Sequence, residues 1–320
     1  MALDFTAELA GTAVEDFNFT PALDLTMVVV SDYETGEKSY KDEILLLKSL
    51  AEQGVWAPYK IVIAESTANQ NIAPPQDLFD QGLQVELVYR DAHTSCALKN
   101  AALDHVTTEW VVSIEADTVP EPGWLDAITK AVASHPDCSI FFGRTYYGEE
   151  TIWRRTCNLL ERSFDDRGSD GPTNHISNNA ALYRTELAKA FPYKHAATQF
   201  LSARIRLDAL HKHGHRAYFV SGAVARHAVG DAGFTWDVYR NTGYSDMKVR
   251  PNCNACYLPR AIVGRFLRDL RHAQRVGGRY MKLRDWPMWI TMVIFARFAH
   301  LRGLVEGLGN PDCLHGSRFR

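Results

Sequence analysis

The sequence predicts an α/β fold, a mostly parallel sheet flanked by helices and followed by a helical C-terminal extension. Three observations lead there. Short apolar, β-branched runs recur at Leu25–Val30, Tyr59–Ala64, Val85–Tyr89 and Trp110–Ile114, without the polar alternation of a sheet that faces water. Stretches with helical spacing separate them, so each strand is followed by a crossover that returns the chain to the same sheet. Hydrophobic residues make up 46% and charged residues 23% of 320, enough apolar surface for a large core without covalent staples.

Taken in order, residues 1–23 are a polar lead-in and 24–235 the main domain. Lys41–Gln53 carries Ile44, Leu47, Leu50 and Ala51 on one helical stripe, and Cys96–His105 and Pro122–Ser134 read as further helices, the last announced by Pro120 and Pro122. Ser139–Gly143, Ala180–Tyr183 and Ala217–Val220 are strand-like, and Glu149–Arg162 is a mixed helix. Asp165–Asn174 is rich in Asp, Gly and Pro and reads as a loop. Phe200–His213 is a helix ended by Gly214. Ligands in such sheets sit at the carboxyl ends of the strands, which directs attention to the residues just after Val30, Ala64 and Ile114.

Charge and cysteine content exclude several classes. A net charge of -3 does not suit a generally basic nucleic-acid binder. Six cysteines are too few for a secreted disulfide scaffold. Cys253 and Cys256 form a lone CxxC with no second pair at zinc spacing and are read as free thiols. The first twenty residues hold four acids and no Lys or Arg, unlike a signal peptide. No run reaches ~18 uninterrupted apolar residues; the longest, Trp286–Ala296, is cut by Arg297. The expectation is a cytoplasmic protein.

Directly after the fourth apolar run stands Glu115-Ala116-Asp117. On an extended strand end the two acids point the same way, and carboxylates emerging together need a cation or donors. A hard divalent ion meets that need and also binds a diphosphate. A solvated acidic turn is the alternative for the triplet alone.

The longer segment EADTVPEPGWL resembles the metal-binding signature of family 2 nucleotide-sugar glycosyltransferases of the GT-A fold, a Rossmann-like sheet. LTMVVVSDYETGE, KIVIAES, CALKNAAL, SNNAALYR and AYFVSGAVARHAVG match other segments of that family in the same order, over roughly residues 24–230. The resemblance implies transfer of a sugar from a nucleotide-diphospho-sugar donor, a UDP-sugar by family habit, to a hydroxyl on a carbohydrate or lipid-linked acceptor, with inversion. It implies Mn²⁺ or Mg²⁺ held by Asp117 and His227, and Glu115 at the ribose or the metal. Glu65 would meet the base, beside a nucleotide pocket of Ser31, Asp32 and Tyr33, with Lys99, Asn100 and Ala116 also on the donor. Trp124, Asn178 and Asn179 would line the sugar and acceptor pocket. Chemically, a divalent ion neutralises charge on the leaving diphosphate, and an imidazole beside a carboxylate suits Mn²⁺.

One part of the pattern is missing. Inverting members carry an acidic pair just before an arginine-rich helix, one acid being the general base. Aligning on Arg204 puts Ala197 and Thr198 there, and aligning on Gly214 puts Ser202 and Ala203 there; no Asp or Glu occurs between Glu186 and Asp208. His195, Asp208, Asp165 and Asp166 stand as substitute bases. A catalytically silent nucleotide-sugar-binding protein is the second reading. A nucleotidyltransferase ranks third, because the turn SDYETGEKSY lacks a glycine-rich phosphate loop.

Residues 236–320 form the extension. Residues 259–284 contain eight Lys/Arg and one acid, Asp269, and Ala261–Arg275 is amphipathic, followed by the apolar surface of Trp286–Phe295. Basic amphipathic helices with tryptophans lie in membrane interfaces, so peripheral contact with the inner face of a membrane through 259–302 is one expectation. A helix packed on the main domain is the other. Nucleic acid is not an expected partner, since no stacking module accompanies the arginines.

Overall fold

The computed structural model describes residues 23–30, 39–53, 60–92, 94–194, 198–249 and 256–309. The four apolar runs become strands β1 (Leu25–Val30), β2 (Lys60–Ser66), β3 (Gln84–Arg90) and β4 (Trp110–Glu115), all mutually parallel in the order β3-β2-β1-β4. Helices α1 (Lys41–Ala51) and α2 (Ser95–Leu103) lie in the crossovers. Alternation along the strands sorts the core into two layers. Met27, Val29, Ile61 and Ile63 pack with Leu46, Leu47 and Leu50 of α1 on one face. Val28, Val30, Val62 and Ala64 pack with Leu98 and Ala102 of α2 on the other.

Beyond β4 the sheet is mixed rather than mostly parallel. After β5 (Thr118–Pro120), α3 (Trp124–Ser134), β6 (Ile140–Tyr146) and α4 (Ile152–Cys157), one π-helical turn occupies Asn158–Arg162. Then come β7 (Gly171–Thr173), β8 (Ala181–Arg184), α5 (Thr185–Ala190), α6 (Gln199–Lys212) and β9 (Ala217–His227). β8 is antiparallel to both β4 and β6, β9 runs parallel to β6, and β5 and β7 pair antiparallel with β9.

β9 is longer than the run Ala217–Val220 suggests, because polar Ser221 and Gly222 interrupt it at a bulge. The bulge is possible because Gly143 of β6 has no side chain; a Cβ there would lie 1.7 Å from the Ala223 carbonyl oxygen. The Asp/Gly/Pro-rich segment contributes the short strand β7, where Pro172 costs nothing at a sheet edge.

Among the described residues the extension forms three long helices: α7 (Ala232–Val249), α8 (Tyr257–Tyr280) and α9 (Trp286–Gly309). α7 and α9 cross in close contact. A Cβ on Gly303 would fall 1.8 Å from the Arg240 carbonyl oxygen, and one on Gly243 would fall 2.1 Å from that of His300. Trp289, Met292, Val293 and Ala296 of α9 form the inner core of this layer with Leu159 and Leu160 of the π turn. Arg155 of α4 grips Asp285 at the α8–α9 corner through Nε–Oδ2 (2.7 Å) and Nη2–Oδ1 (3.0 Å). Leu283–Gly309 is long and apolar enough to cross a membrane, which the uninterrupted-run criterion did not pick up, but half of its most apolar window is buried against the protein.

Candidate active site

The carboxyl end of β4 builds the site. The Ala116 amide donates to the Val30 carbonyl (3.0 Å), which extends the β1–β4 pairing by one residue. Ala116 itself is buried in the core, so Glu115 and Asp117 emerge together on the opposite side. The chain then pairs with the end of β9, Thr118 opposite His227, and Ala228 donates its amide to the Asp117 carbonyl (2.9 Å). That register brings His227 over the acids. Its Nε2 lies 3.4 Å from Glu115 Oε2 and 3.5 Å from Asp117 Oδ1. One ligand atom from each of the three residues lies within 4.8 Å of the other two.

The tautomer is set by the main chain. His227 Nδ1 is 2.7 Å from the Ala228 carbonyl oxygen, an acceptor only, so Nδ1 carries a hydrogen and the ring is fixed with Nε2 facing the two carboxylates. Two carboxylates and an imidazole nitrogen facing one point form a donor set for a divalent cation, Mn²⁺ in particular. Asp117 is pushed up to about 6 by burial and by the charge on Glu115, against the pull of His227 and Arg162.

Glu115 is different. Burial opposes its ionisation, but Lys99, His227 and Arg162 outweigh it and hold the carboxyl well below the usual range. Lys99, projected from α2, reaches Glu115 Oε1 (3.2 Å) and the Asn178 carbonyl (3.0 Å). Asn179 clamps the same residue two ways and ties it to Thr118. Its Nδ2 donates to Glu115 Oε2 (2.8 Å) and Thr118 Oγ1 (2.9 Å), and its Oδ1 accepts from the Glu115 amide (2.9 Å).

The cluster lies where two cavities meet. One, of about 230 Å³, is bounded by Asp42, Arg154 and Arg226. The other, of about 310 Å³, is bounded by the π turn, the 175–179 segment and the first turn of α6. Asp117, Tyr147 and His227 face both. The π turn is held open by Asn158, whose side chain donates to the Gly148 carbonyl (2.6 Å) and accepts from the Tyr147 amide (2.7 Å). It delivers Glu161 and Arg162 to the larger cavity, in keeping with the use of π turns at functional sites. Arg162 stacks 4.7 Å over Tyr147, and its buried Nε has no hydrogen-bond partner among the described residues. A buried guanidinium donor facing a cavity is suited to an anion.

Of the residues singled out from the sequence, the structure brings together Lys99, Glu115, Asp117, Asn178, Asn179 and His227. Glu65 ends β2, buried, where Oε1 accepts from the Ser66 amide (2.8 Å) and Asn69 Nδ2 (3.0 Å). Asn100 does not face the cavity. It pairs with the main chain of Tyr193 through Nδ2 (2.6 Å to the carbonyl) and Oδ1 (2.9 Å from the amide), a structural tie. Trp124 is packed in the core beside Leu125 and Ile128 and lines neither cavity, because the αL residue Gly123 starts α3 with the ring turned inward. Asp208 sits on the outer side of α6, 3.3 Å from Arg204, away from the cavity. The arginine built into the fold is Arg206, which stacks on Tyr183 and Tyr193 and donates to the Phe191 carbonyl (2.7 Å). The first turn of α6 then offers Gln199, Phe200 and Ala203 to the cavity, none of them acidic. Ser31, Asp32, Tyr33 and His195 lie outside the described residues. Sequence reasoning missed Arg162 and His175, since a π turn has no sequence period and a loop histidine carries no signal.

Residues 45–191 match the family model described as glycosyl transferase family 2. That stretch, 147 of the 320 residues, carries the family 2 glycosyltransferase pattern. The chain is accordingly a glycosyltransferase enzyme, and its sheet is the GT-A arrangement expected from the sequence. Among solved structures this glycosyltransferase is similar to the mannosyltransferase PcManGT from Pyrobaculum calidifontis, in complex with GDP-Man and Mn²⁺, at 16% identity over 90% of this chain and 88% of that one, with a TM-score of 0.52. S. aureus TarS 1-349 in complex with UDP matches at 14% identity over 88% and 89%, with a TM-score of 0.48. Glucosyl-3-phosphoglycerate synthase from Mycobacterium tuberculosis, with Mn²⁺, UDP and phosphoglyceric acid, matches at 12% identity over 73% and 80%, also at 0.48. No curated protein gives a significant sequence match.

Proposed function

We propose that this enzyme transfers a sugar from a nucleoside-diphosphate sugar to an acceptor hydroxyl, with Mn²⁺ or Mg²⁺ held by Glu115, Asp117 and His227. The observation that carries the reading is that triad, with Nε2 of His227 turned toward both acids by the hold of the Ala228 carbonyl on Nδ1. The ion supplies charge neutralisation for the departing diphosphate. Lys99 and Asn179 keep Glu115 ionised and aimed, and Arg162 offers a further donor to the same anion. The cavity on the far side of the triad has room for the acceptor. Inversion and a UDP donor are the family's habit and form part of the proposal.

The acceptor is proposed to be presented at a membrane surface on the cytoplasmic side. On α9 the outward stripe Ile290, Ile294, Phe298, Val305 and Leu308 is 39–62% exposed, and Val263 and Leu267 of α8 continue it at 56% and 43%. Arg260, Arg268, Arg271, Arg275 and Arg279 are exposed alongside on α8. An exposed apolar stripe beside a row of arginines is complementary to an anionic bilayer interface.

The test is calorimetric titration of the full chain with UDP, GDP and dTDP, each with Mn²⁺ and with EDTA. One nucleotide binds only with the metal, and Asp117→Asn weakens that binding at least tenfold while leaving the melting temperature in place. Equal binding with EDTA, or by the variant, refutes the site.

A further inference from the structure

Asp165 and His175 form a pair on the wall of the larger cavity that the reading above does not use. His175 Nε2 lies 2.8 Å from Asp165 Oδ1, with side chains 31% and 20% exposed. The carboxylate accepts, so Nε2 carries the hydrogen and Nδ1 of the neutral ring is left as a proton acceptor. The ring is further held by the edge of Phe142, centroids 5.5 Å apart, and its own amide donates to Thr173 Oγ1 (3.0 Å). Asp165 is fixed in turn by its amide, which donates to the Arg162 carbonyl (3.0 Å). Burial opposes the charge on Asp165, but His175, Arg162 and Arg167 outweigh it and hold the carboxyl below the usual range.

The pair is near the reacting centre. His175 is four residues before Asn179, whose amide touches Glu115. Four residues of chain span at most about 14 Å. No other described group on this cavity is free for the task. Glu161 accepts from Tyr147 Oη (2.6 Å) and Thr235 Oγ1 (3.0 Å), Glu115 and Asp117 belong to the metal cluster, and α6 offers no acid.

We propose that His175 is the general base toward the acceptor hydroxyl, with Asp165 as its positioning residue, in place of the acidic pair that α6 lacks. This rests on the glycosyl-transfer reading. His175 Nδ1 takes the hydroxyl proton as the acceptor oxygen bonds to the anomeric carbon. The bond from that carbon to the diphosphate oxygen breaks, the nucleoside diphosphate leaves with the electron pair, and the imidazolium returns its proton to solvent. Charged and titratable groups near the ring are Asp165, Arg162 and Arg167 on its own side. Across from it are Lys99 and Glu115, and His211 of α6 lies 2.6 Å from the neighbouring Asn174 carbonyl.

The experiment measures nucleoside diphosphate release from UDP-glucose, UDP-GlcNAc and GDP-mannose, with water as acceptor, by the full chain with Mn²⁺ over pH 5–9. Calorimetry of the same nucleotide runs beside it. His175→Ala is expected to slow release by about 10²-fold or more, with nucleotide affinity unchanged and partial rescue by added imidazole. Asp165→Asn is expected to lower kcat more than it changes KM and to move the acidic limb of the pH profile. Nitrogen NMR of the His175 ring, assigned with His175→Gln, is expected to show the Nε2–H tautomer, lost in Asp165→Asn. Unchanged release by His175→Ala with nucleotide binding intact overturns the dyad alone. So does wild-type protein that binds nucleotide but releases none, or a ring that is Nδ1–H. Failure of wild type to bind any nucleotide with Mn²⁺ overturns the transfer reading itself.

Discussion

Asn179→Ala separates two roles for one residue. The resemblance places Asn179 on the sugar, whereas the structure makes it the clamp on Glu115. The substitution removes three hydrogen bonds at a buried position, one of them to an ionised carboxylate. Neutral bonds contribute about 1 kcal/mol each and a bond to a charge about 1.5–3. Partial relaxation leaves a loss of about 3 kcal/mol. At roughly 2.1 cal/mol/K per residue, a chain of 320 residues has an unfolding entropy of about 0.7 kcal/mol/K, so the melting temperature falls by about 4 °C. Glu115 also loses the donor that aims Oε2 at the cluster, and Mn²⁺-dependent binding of the nucleoside diphosphate weakens with or without a sugar attached. Scanning calorimetry and titration with UDP and UDP-glucose check both. An unchanged melting temperature with unchanged UDP binding, and a loss confined to the sugar-bearing ligand, refutes the clamp.

Gly303→Ala forces a methyl into the Arg240 carbonyl at the α7–α9 crossing and is expected to destabilise by about 1–3 kcal/mol or more, whereas Gly264→Ala, with nothing within 4 Å, is expected to be neutral or stabilising; thermal melts of the two compare them directly. Asp285, buried against Arg155, has its carboxyl held down at about 2, first by the Arg155 hydrogen bonds. A lowered carboxyl contributes stability above its unfolded value near ~4 that is lost as pH falls through about 2. Wild type is therefore expected to lose stability over that window, and Asp285→Asn to be less stable at pH 7 and flatter between pH 4 and 2, read by denaturant titration at each pH. Phe298→Ser with Ile294→Ser is expected to cut sedimentation with phosphatidylglycerol vesicles at least tenfold and leave nucleotide binding intact; equal sedimentation refutes the membrane face.

How much of this was legible beforehand depended on whether a residue's role is local. Strands β1 to β4 were legible because burial on both faces leaves an unbroken apolar run, and Glu115 with Asp117 followed from the period of two beyond such a run. His227 was legible only through the resemblance, because its meeting with the acids depends on the β5–β9 pairing, more than a hundred residues apart in sequence. β5 is three residues long and carries no periodic signal. Asn100 and Trp124 show the opposite error. Their positions match a motif, but Asn100 is spent on the Tyr193 backbone and Trp124 on the core. The two arginines of α6 could not be told apart in the sequence, because Arg204 and Arg206 differ in which side of the helix faces Tyr183 and Tyr193.

The helical extension is part of the site rather than an addition to it. Phe234 and Val238 of α7 line the larger cavity. The π turn that delivers Arg162 is held from the outside by this layer. Tyr239 Oη donates to the Leu160 carbonyl (2.9 Å), Thr235 Oγ1 to Glu161 (3.0 Å), and Ser163 Oγ meets His272 Nε2 of α8 at 2.7 Å. Tyr280 Oη donates to Asp166 (2.5 Å), next to the carboxylate that orients His175. A π turn is a rare alternative to the α-helix, and here these contacts fix it. The same helices that turn apolar and arginine side chains outward therefore fix, on their inner faces, the positions of Arg162 and Asp165. On the proposed reading, the surface that meets the acceptor and the group that takes its proton would thus be carried by one helical layer, packed against the sheet end where Glu115, Asp117 and His227 meet.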